Sequence, residues 1–410
     1  MTARKLEWHV LTLVTLGLTA FGIVMVYSAT SASAAIGGAN PMSYLERQGT
    51  YAVIGVALML FASRFDYRRL RALAPVLILV ALAGCAAVLI VAPPVNGARR
   101  WIGLGPAAFQ PSELAKLAVA IWLAAWLSRR EPPQTLAELW RPIGALVGLF
   151  SFLIIFEPDL GTTIALVVMV GCVLLVAGTP VRVLSGAFAI ATALGLVAVW
   201  IEPYRRVRVF SFLNPWQDAQ GAGSQVVQAE IGIGSGGFFG KGLAQGVQKI
   251  YYLPEGHTDM IYAVIGEELG LIGSALLILA YAAFAWAGLK IALECKDPFG
   301  KRLAAGLTGL VCCQAAINLG AVLGLAPLTG IPLPFVSYGG SSLVVELVCA
   351  GILLNIAGNG GRATAQVSDR NRGHRRPRAA VAGNRGRVAE PWRARDARRV
   401  AGSRRSAARS

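Results

Sequence analysis

Long apolar blocks almost free of charge constrain this chain more than any other feature. Hydrophobic residues make up 55% of its 410 residues and charged residues only 14%, whereas a soluble protein carries about a quarter charged residues. A bilayer core about 30 Å thick needs roughly 20 apolar residues per helix. The sequence therefore predicts an all-α polytopic membrane protein. This excludes a disordered chain, a disulfide scaffold and a cytosolic enzyme.

Ten such blocks predict about ten transmembrane helices. Basic residues gather in alternate loops, which by the positive-inside rule places both termini on the cytoplasmic side. Ser31–Ala35 resembles a signal-peptidase site, but we interpret the first block as a retained helix because many spans follow it. The predicted helices lie near residues 10–27, 51–63, 73–92, 114–127, 143–156, 160–177, 183–201, 260–293, 303–325 and 341–357.

The chain divides into a membrane domain and a C-terminal basic tail. We predict a membrane domain at 1–361, with a large extracytoplasmic loop at 202–258 between helices 7 and 8. The segment 362–410 holds 15 Arg and three acidic residues, and the whole chain has a net charge of +17. It has no apolar period, which predicts a disordered cytoplasmic tail. Tethering to anionic lipid explains its charge more simply than nucleic-acid binding.

A glycine-rich segment at 233–242 invites a nucleotide-binding interpretation, which fails on inspection. A Walker A motif needs Gly where Ser235 stands and Ser or Thr where Gly242 stands. The sequence therefore predicts no nucleotide cofactor. The glycines instead favour close backbone packing or a re-entrant turn.

Polar residues are costly in a membrane, so those at helix ends are candidates for function. Glu113 and Lys116 are three residues apart and share a helix face, so they form either a helix-end ion pair or part of a substrate site. Arg99 and Arg100 contact either substrate phosphates or lipid headgroups.

A second polar cluster lies in the turn between two apolar helices. Glu157 and Asp159 have a two-residue spacing that suits a divalent ion or a protein partner. Asp159 equally suits the N-cap of the next helix, and both interpretations remain open.

Asp259 lies where the long polar loop meets an apolar helix. A carboxylate at a membrane boundary loses solvation, which raises its affinity for a proton and suits it to general-base chemistry. The alternative is an acid favoured by the helix dipole. His257 and Thr258 are adjacent, and Glu267 and Glu268 follow about two turns later.

The segment 327–342 contains three prolines and paired glycines, which prevent a regular helix. Irregular backbone at membrane depth is tolerated where it lines a polar cavity. The last helix is expected to start at Ser341 or Ser342, with free N–H groups able to face pyrophosphate. Glu346, one turn inside that helix, needs a partner that the sequence does not reveal.

The strings FQPSELAKL, EPDLGT, IGSGGFFGKGL, YLPEGHTDMIYAVIGEELG and TGIPLPFVSYGGSS resemble the SEDS family, the FtsW and RodA proteins of bacterial cell-wall synthesis. They occur in family order, and the resemblance covers roughly Val10 to Ala357. It implies a ten-helix peptidoglycan glycosyltransferase that polymerises lipid II at the outer face of the cytoplasmic membrane. The family's essential acid falls on Asp259.

The resemblance also implies cofactors and partners. These are a divalent cation, Mg²⁺ or Mn²⁺, with Asp259 a possible ligand, and a class B penicillin-binding protein together with other division proteins. The expected substrate-binding residues are Arg99, Arg100, Glu113, Lys116, Gln225, Lys249, His257, Thr258, Ser337 and Ser341. The expected structural or partner-binding residues are Glu157, Asp159 and Glu268.

The branch of the family is indicated by weaker features. The Lys249–Tyr252 approach to the acid, the first-helix string at 22–28 and the long tail look closer to FtsW than to RodA. This favours septal wall synthesis during division over elongation. The rival function from another class is a lipid II flippase, but the polar clusters collect at one predicted face, whereas transport needs groups at both.

Overall fold

The computed structural model describes residues 3–36, 42–94, 98–104, 107–250, 253 and 256–359. The predicted Arg-rich tail lies outside the described residues, as does Tyr252. Within the described ranges the chain is helical, with one small hairpin. The α-helices are α1 Ala3–Ile36, α2 Met42–Arg64, α3 Leu70–Val91, α4 Pro111–Leu127, α5 Leu136–Leu139, α6 Ala145–Phe156, α7 Leu160–Ala177, α8 Val181–Ile201, α9 Pro203–Leu213, α10 Ser224–Gly236, α11 Ile261–Glu294, α12 Pro298–Val322 and α13 Gly340–Asn359.

Shorter elements join these helices. The antiparallel strands β1 (Ile102–Leu104) and β2 (Ala107–Phe109) pair before α4. Two 3₁₀ turns lie at Tyr67–Arg69 and Pro215–Asp218, and a π-helical turn at Trp140–Gly144 leads into α6.

The predicted membrane architecture is confirmed. In the described part of the chain, eight helical segments are long and apolar enough to cross a membrane. The other two predicted blocks are also helical and correspond to α2 and α4. α4 has 17 residues, most of them buried against other helices. The eight segments are Leu6–Ser31, Tyr67–Val91, Leu136–Phe156, Leu160–Ala177, Val181–Ile201, Ile261–Glu294, Pro298–Val322 and Gly340–Asn359.

Small residues let the central helices approach closely, as is usual in membrane bundles. A Cβ on Gly351 of α13 would lie 2.4 Å from the carbonyl oxygen of Met59 on α2, and one on Gly55 would lie 2.5 Å from Leu347. α13 is mostly buried, whereas the apolar stretch of α8 has no buried share. The interior of the bundle therefore lies around α4, α12 and α13, with α8 at its periphery.

α11 is broken near its start, which accounts for its length of 34 residues. Gly270 has φ 65° and ψ −160° inside the helix, a conformation that is essentially restricted to glycine. The glycine-rich segment enters this break: the N–H groups of Lys241 and Gly242 donate to the carbonyls of Glu267 and Glu268 at 3.0 Å each. The expected close backbone packing is what the structure shows.

The loop predicted at 202–258 contains helices that the sequence analysis did not identify. α9 and α10 both lie within it, and α10 packs against α11. α9 mixes arginines with apolar residues over only 11 positions, so it lacks the long apolar run by which the other helices were found.

Candidate active site

The loop between α12 and α13, residues 323–339, brings the predicted polar clusters together at one end of the bundle. A Cβ on Gly161, at the start of α7, would lie 3.0 Å from Cβ of Thr329 in this loop. The N–H of Gln110, just before α4, donates to Oγ of Ser341 at 3.2 Å. We call this end of the bundle, where α4, α7, α11 and α13 begin, the site end.

Asp259 is positioned through its backbone by a residue of another helix. Nδ2 of Asn318, buried on α12, donates to the carbonyl of Asp259 at 2.7 Å and to that of Ile331 at 2.8 Å. The side chain of Asp259 is half-buried, and Oγ1 of Thr258 lies 3.3 Å from its Oδ1. Asn318 thus ties the acid to the α12–α13 loop and leaves its carboxylate at an accessible surface.

Arg208 of α9 approaches the same place. A Cβ built on Gly330 would lie 4.0 Å from Nη1 of Arg208 and 4.0 Å from Oδ2 of Asp259. Both side chains therefore come close to Gly330 in the α12–α13 loop. Sequence reasoning missed both Arg208 and Asn318, because neither lies in a recognisable string beside the acid.

Aromatic rings surround the residues next to Asp259. The ring of His257 lies 5.1 Å from that of Tyr44 and 5.5 Å from that of Tyr338. The N–H of Tyr338 donates to the carbonyl of His257 at 2.9 Å. Oγ of Ser337 accepts from the N–H of Leu333 at 2.8 Å, so this predicted substrate ligand stabilises the loop.

Glu113 and Lys116 form the expected ion pair on α4, with Nζ 2.8 Å from Oε1 and both side chains buried. α4 begins at Pro111, with Gln110 at the N-cap position. The partner of Glu346 is also visible, since its carboxylate accepts from the N–H of Phe335 at 2.9 Å and from Oγ of Ser342 at 3.0 Å. Glu346 therefore holds the loop against α13.

The turn between α6 and α7 is stabilised mainly by its own polar groups. Oδ1 of Asp159 accepts from the N–H of Thr162 at 3.0 Å, which confirms the N-cap interpretation. Nε of Arg100 donates to the carbonyl of Glu157 at 3.0 Å, and its Nη2 donates to that of Pro158. The guanidinium of Arg100, predicted to contact substrate phosphates or lipid headgroups, therefore contacts this turn in the structure.

Glu157 is fully buried in this turn. Burial, and then the charge of Asp159, raise the pKa of Glu157 to about 8, and the nearby Arg100 opposes this rise. Cys85 on α3 and Ser112 on α4 face the carboxyl group without hydrogen bonds of standard geometry. Glu157 therefore retains its proton at neutral pH.

Lys249 and Glu268 form a second buried pair, with Nζ 2.8 Å from Oε1 and side chains 2% and 0% exposed. Oγ of Ser28 on α1 donates to the same carboxylate at 2.7 Å. Neighbouring Glu267 accepts from Nζ of Lys241 at 2.7 Å and from the N–H of Val247 at 2.9 Å. These contacts lock the segment 241–249 onto α11. Lys249 thus has a structural contact in this conformation, and its substrate-binding role stays a prediction.

Two predicted substrate residues lie outside these networks. Arg99 is exposed, with Nη1 3.0 Å from the carbonyl of Leu89. Gln225 is half-buried near the start of α10.

The donor set near Asp259 bears on the expected divalent cation. Among the described residues, no three His, Cys, Asp or Glu side chains gather in a metal-binding arrangement. Mg²⁺ is commonly held by one or two carboxylates together with substrate phosphates. The single carboxylate of Asp259 fits a cation shared with a phosphate-bearing substrate, and does not fit an all-protein cage.

The fold and this site define a polytopic helical membrane protein in which Asp259, a candidate catalytic acid, lies at one end of the helix bundle. Residues 8–360 match the family model described as "Cell cycle protein", which comprises FtsW, RodA and SpoVE. The chain belongs to this family, as the motifs had indicated.

Curated relatives match over nearly their full length. The chain is 39% identical over 355 residues to the probable peptidoglycan glycosyltransferase FtsW of Geobacter metallireducens, covering 85% of this chain and 94% of the relative. It is also 39% identical over 367 residues to the stage V sporulation protein E of Bacillus subtilis, covering 87% and 99%.

Solved structures show the same fold. One chain of a peptidoglycan synthase complex that coordinates polymerization and crosslinking is 31% identical, with a TM-score of 0.70 and coverage of 86% of this chain and 98% of that one. The rod shape determining protein RodA of Thermus thermophilus is 29% identical, with a TM-score of 0.62 and coverage of 86% and 96%.

Proposed function

We propose that this protein is a peptidoglycan glycosyltransferase that polymerises lipid II into glycan strands, with Asp259 as general base. The observation that carries the proposal is the placement of Asp259: Asn318 fixes its backbone, and its carboxylate is half-buried beside Arg208. The family relationship, and the names given to relatives such as the Geobacter protein, support the activity.

The reaction is a displacement at the anomeric carbon of a lipid-linked diphosphate donor. The acceptor hydroxyl oxygen forms a bond to this carbon, and the bond from the carbon to the diphosphate oxygen breaks. The hydroxyl proton passes to Asp259, and the electron pair of the broken bond leaves with the diphosphate. A hydroxyl is a weak nucleophile, so a positioned base contributes about 10²–10⁴-fold to the rate.

A divalent cation, Mg²⁺ or Mn²⁺, is part of the proposal. Asp259 would be a ligand of this cation, and the bound cation would supply positive charge to the phosphate groups of the donor. Energy for the reaction resides in the lipid-linked donor, which agrees with the expectation of no nucleotide cofactor.

The same relatives support a proposed cellular setting. We propose that the protein acts at the outer face of the bacterial cytoplasmic membrane at the division septum, with both termini cytoplasmic. Its partner would be a class B penicillin-binding protein that crosslinks the new strands. The similarity to one chain of a peptidoglycan synthase complex supports such an assembly. Other division proteins and, at the basic tail, anionic lipid complete the proposed partners.

Lipid II transport is the rival function, and RodA-like elongation is the rival setting. Transport needs substrate groups at both ends of the bundle. In the described residues, the predicted clusters converge on the site end, whereas at the opposite end the buried Glu7 is paired with the partly exposed Lys290 at 2.5 Å. This asymmetry supports synthesis.

The test is polymerisation of labelled lipid II by the purified full chain with Mn²⁺ or Mg²⁺, with and without its transpeptidase partner. Wild-type protein should form long glycan strands on a gel, and Asp259→Asn should form none while remaining folded. Asp218→Asn is the matched control, since Asp218 is an exposed aspartate of the same segment. Polymer from Asp259→Asn would refute the role of the base. Translocation of lipid II into vesicles by protein that makes no polymer would establish the rival.

A further inference from the structure

α9 carries three arginines that point to different partners. Arg205 is buried and donates to the carbonyls of Ala198 and Ile155 at 3.0 and 2.8 Å. The guanidinium of Arg206 lies 5.8 Å from the centre of the Trp200 ring. Arg208 turns towards the α12–α13 loop. Arg205 anchors the helix and Arg206 lies near a tryptophan ring, whereas Arg208 contacts the loop beside Asp259.

The position of Arg208 is set by its neighbours. Its guanidinium lies 4.8 Å from the centre of the Tyr204 ring, and its Nη1 makes a long hydrogen bond of 3.4 Å to the carbonyl of Leu328. A guanidinium has five N–H donors. Within the described residues this contact is the single hydrogen bond that it makes, so the group retains donors for an anion.

Gly330 keeps the space between Arg208 and Asp259 open. Nη1 of Arg208 and Oδ2 of Asp259 each lie 4.0 Å from the position of a Cβ there, so these two atoms are separated by no more than twice that distance. Gly330 also has a φ of 73°, which side chains with a Cβ rarely adopt. Arg208 therefore lies close enough to Asp259 for both side chains to contact one substrate.

Three cationic side chains that were predicted to bind substrate contact other protein groups. Arg100 caps the turn at Glu157, Lys116 is paired with Glu113, and Lys249 is paired with Glu268. Of the partners expected for a departing diphosphate, these contacts leave the exposed Arg99 and the proposed divalent cation, beside which Arg208 would act.

We propose that Arg208 binds the diphosphate of the lipid-linked donor and stabilises the negative charge that develops as it leaves. This inference rests on the proposed glycosyltransferase activity. As the bond from the anomeric carbon to the diphosphate oxygen breaks, its electron pair moves onto the diphosphate, opposite Asp259, which receives the acceptor proton. The planar fork of an arginine matches phosphate oxygens in pairs, which a lysine ammonium does not.

The test compares Arg208→Gln and Arg208→Lys with Arg206→Gln, the matched control two residues away on the same helix. Steady-state polymerisation of lipid II gives kcat and KM. Binding of farnesyl diphosphate to the full chain in micelles gives an affinity that does not depend on turnover. Thermal unfolding identifies any variant that is not folded.

We expect Arg208→Gln to lower kcat/KM by about 10²-fold, the usual loss for one charge-stabilising donor, and to weaken farnesyl diphosphate binding at least about tenfold. Arg208→Lys should recover part of both, whereas Arg206→Gln should match wild type. Wild-type kcat/KM and affinity in folded Arg208→Gln would overturn the inference and leave the proposed function intact. Weaker binding in Arg208→Gln, with no polymer from wild type, would support the anion site and refute the proposed function.

Discussion

Two acid–cation pairs flank the start of α11, and they differ in almost every physical respect. Lys249 and Glu268 are 2.8 Å apart and sealed from solvent. Asp259 and Arg208 are both half-buried, and both side chains come close to Gly330. A pair sealed from solvent can only hold the structure together, whereas groups at an accessible surface can also contact a substrate. The sealed pair is therefore interpreted as a lock and the open pair as the chemical site.

The largest effect on stability is expected at the sealed pair. Removal of one partner from a buried ion pair leaves an uncompensated charge and costs about 3–5 kcal/mol. Lys249→Met and Glu268→Gln should each lower the unfolding temperature strongly in micelles. The double variant has no unpaired charge, so it should be more stable than either single variant.

Differential scanning fluorimetry of the four proteins checks this coupling. Additive losses in the double variant would show that the two side chains act independently, and the lock interpretation would then fail.

The next largest effect on stability is expected at Gly270, in the backbone break of α11. Gly270→Ala places a Cβ 2.4 Å from the N atom of Gly240 and 2.7 Å from the carbonyl oxygen of Phe238, in a region essentially restricted to glycine. We expect a loss of about 3 kcal/mol or more, since strain of about 1–3 kcal/mol adds to the steric clash. Polymerisation should fall only in proportion to the fraction of protein that unfolds.

Gly234→Ala is the matched control. Gly234 lies within α10, and a Cβ there meets no atom within 4 Å. Alanine favours a helix over glycine by about 1 kcal/mol, so this variant should unfold at or above the wild-type temperature. Equal losses in the two variants would contradict the account of the break in α11.

The amino-acid sequence predicted the features that depend on neighbouring residues. The apolar blocks, the Glu113–Lys116 pair, the Asp159 cap and the close packing of the glycine-rich segment all follow from local spacing. The assignment of one pair to structure and the other to chemistry does not follow from local spacing. Lys249 was predicted to bind substrate, and its contact with Glu268, which lies close to the break in α11, was not predicted.

Contacts between distant segments were beyond the sequence. Asn318 reaches Asp259 across 59 positions, and Arg208 reaches the same site from a helix with no long apolar period. Glu346 has no partner that the sequence reveals. In the structure the α12–α13 loop folds back, and the N–H of Phe335 donates to the carboxylate of Glu346. Such pairings depend on how helices pack, so spacing along one segment does not reveal them.

A smaller, pH-dependent effect is expected at Glu157, a buried acid that belongs to neither pair. Its pKa is raised from 4.5 to about 8 by burial and by Asp159, so the folded protein holds this proton more tightly than the unfolded chain. The stability from this group is fully present below the ordinary pKa and is lost as the pH rises towards about 8. Glu157→Gln should remove about 1 kcal/mol of this loss per pH unit between pH 6 and pH 8.

Thermal unfolding at pH 6, 7 and 8 measures this effect, with Glu46→Gln as the exposed control. The advantage of Glu157→Gln over wild type should grow with pH, whereas the Glu46 variant should follow wild type. A constant difference would show that Glu157 is ionised throughout this range.

The most direct test of the central claim compares Asp259→Asn with Glu268→Gln in one preparation, with lipid II polymerisation and unfolding temperature measured for each. The account predicts that Asp259→Asn loses polymerisation by at least about 10²-fold and unfolds at the wild-type temperature. It predicts that Glu268→Gln unfolds at a lower temperature while its folded fraction still forms polymer. Full activity in Asp259→Asn, or an unchanged unfolding temperature in Glu268→Gln, would contradict the assignment of one pair to chemistry and the other to structure.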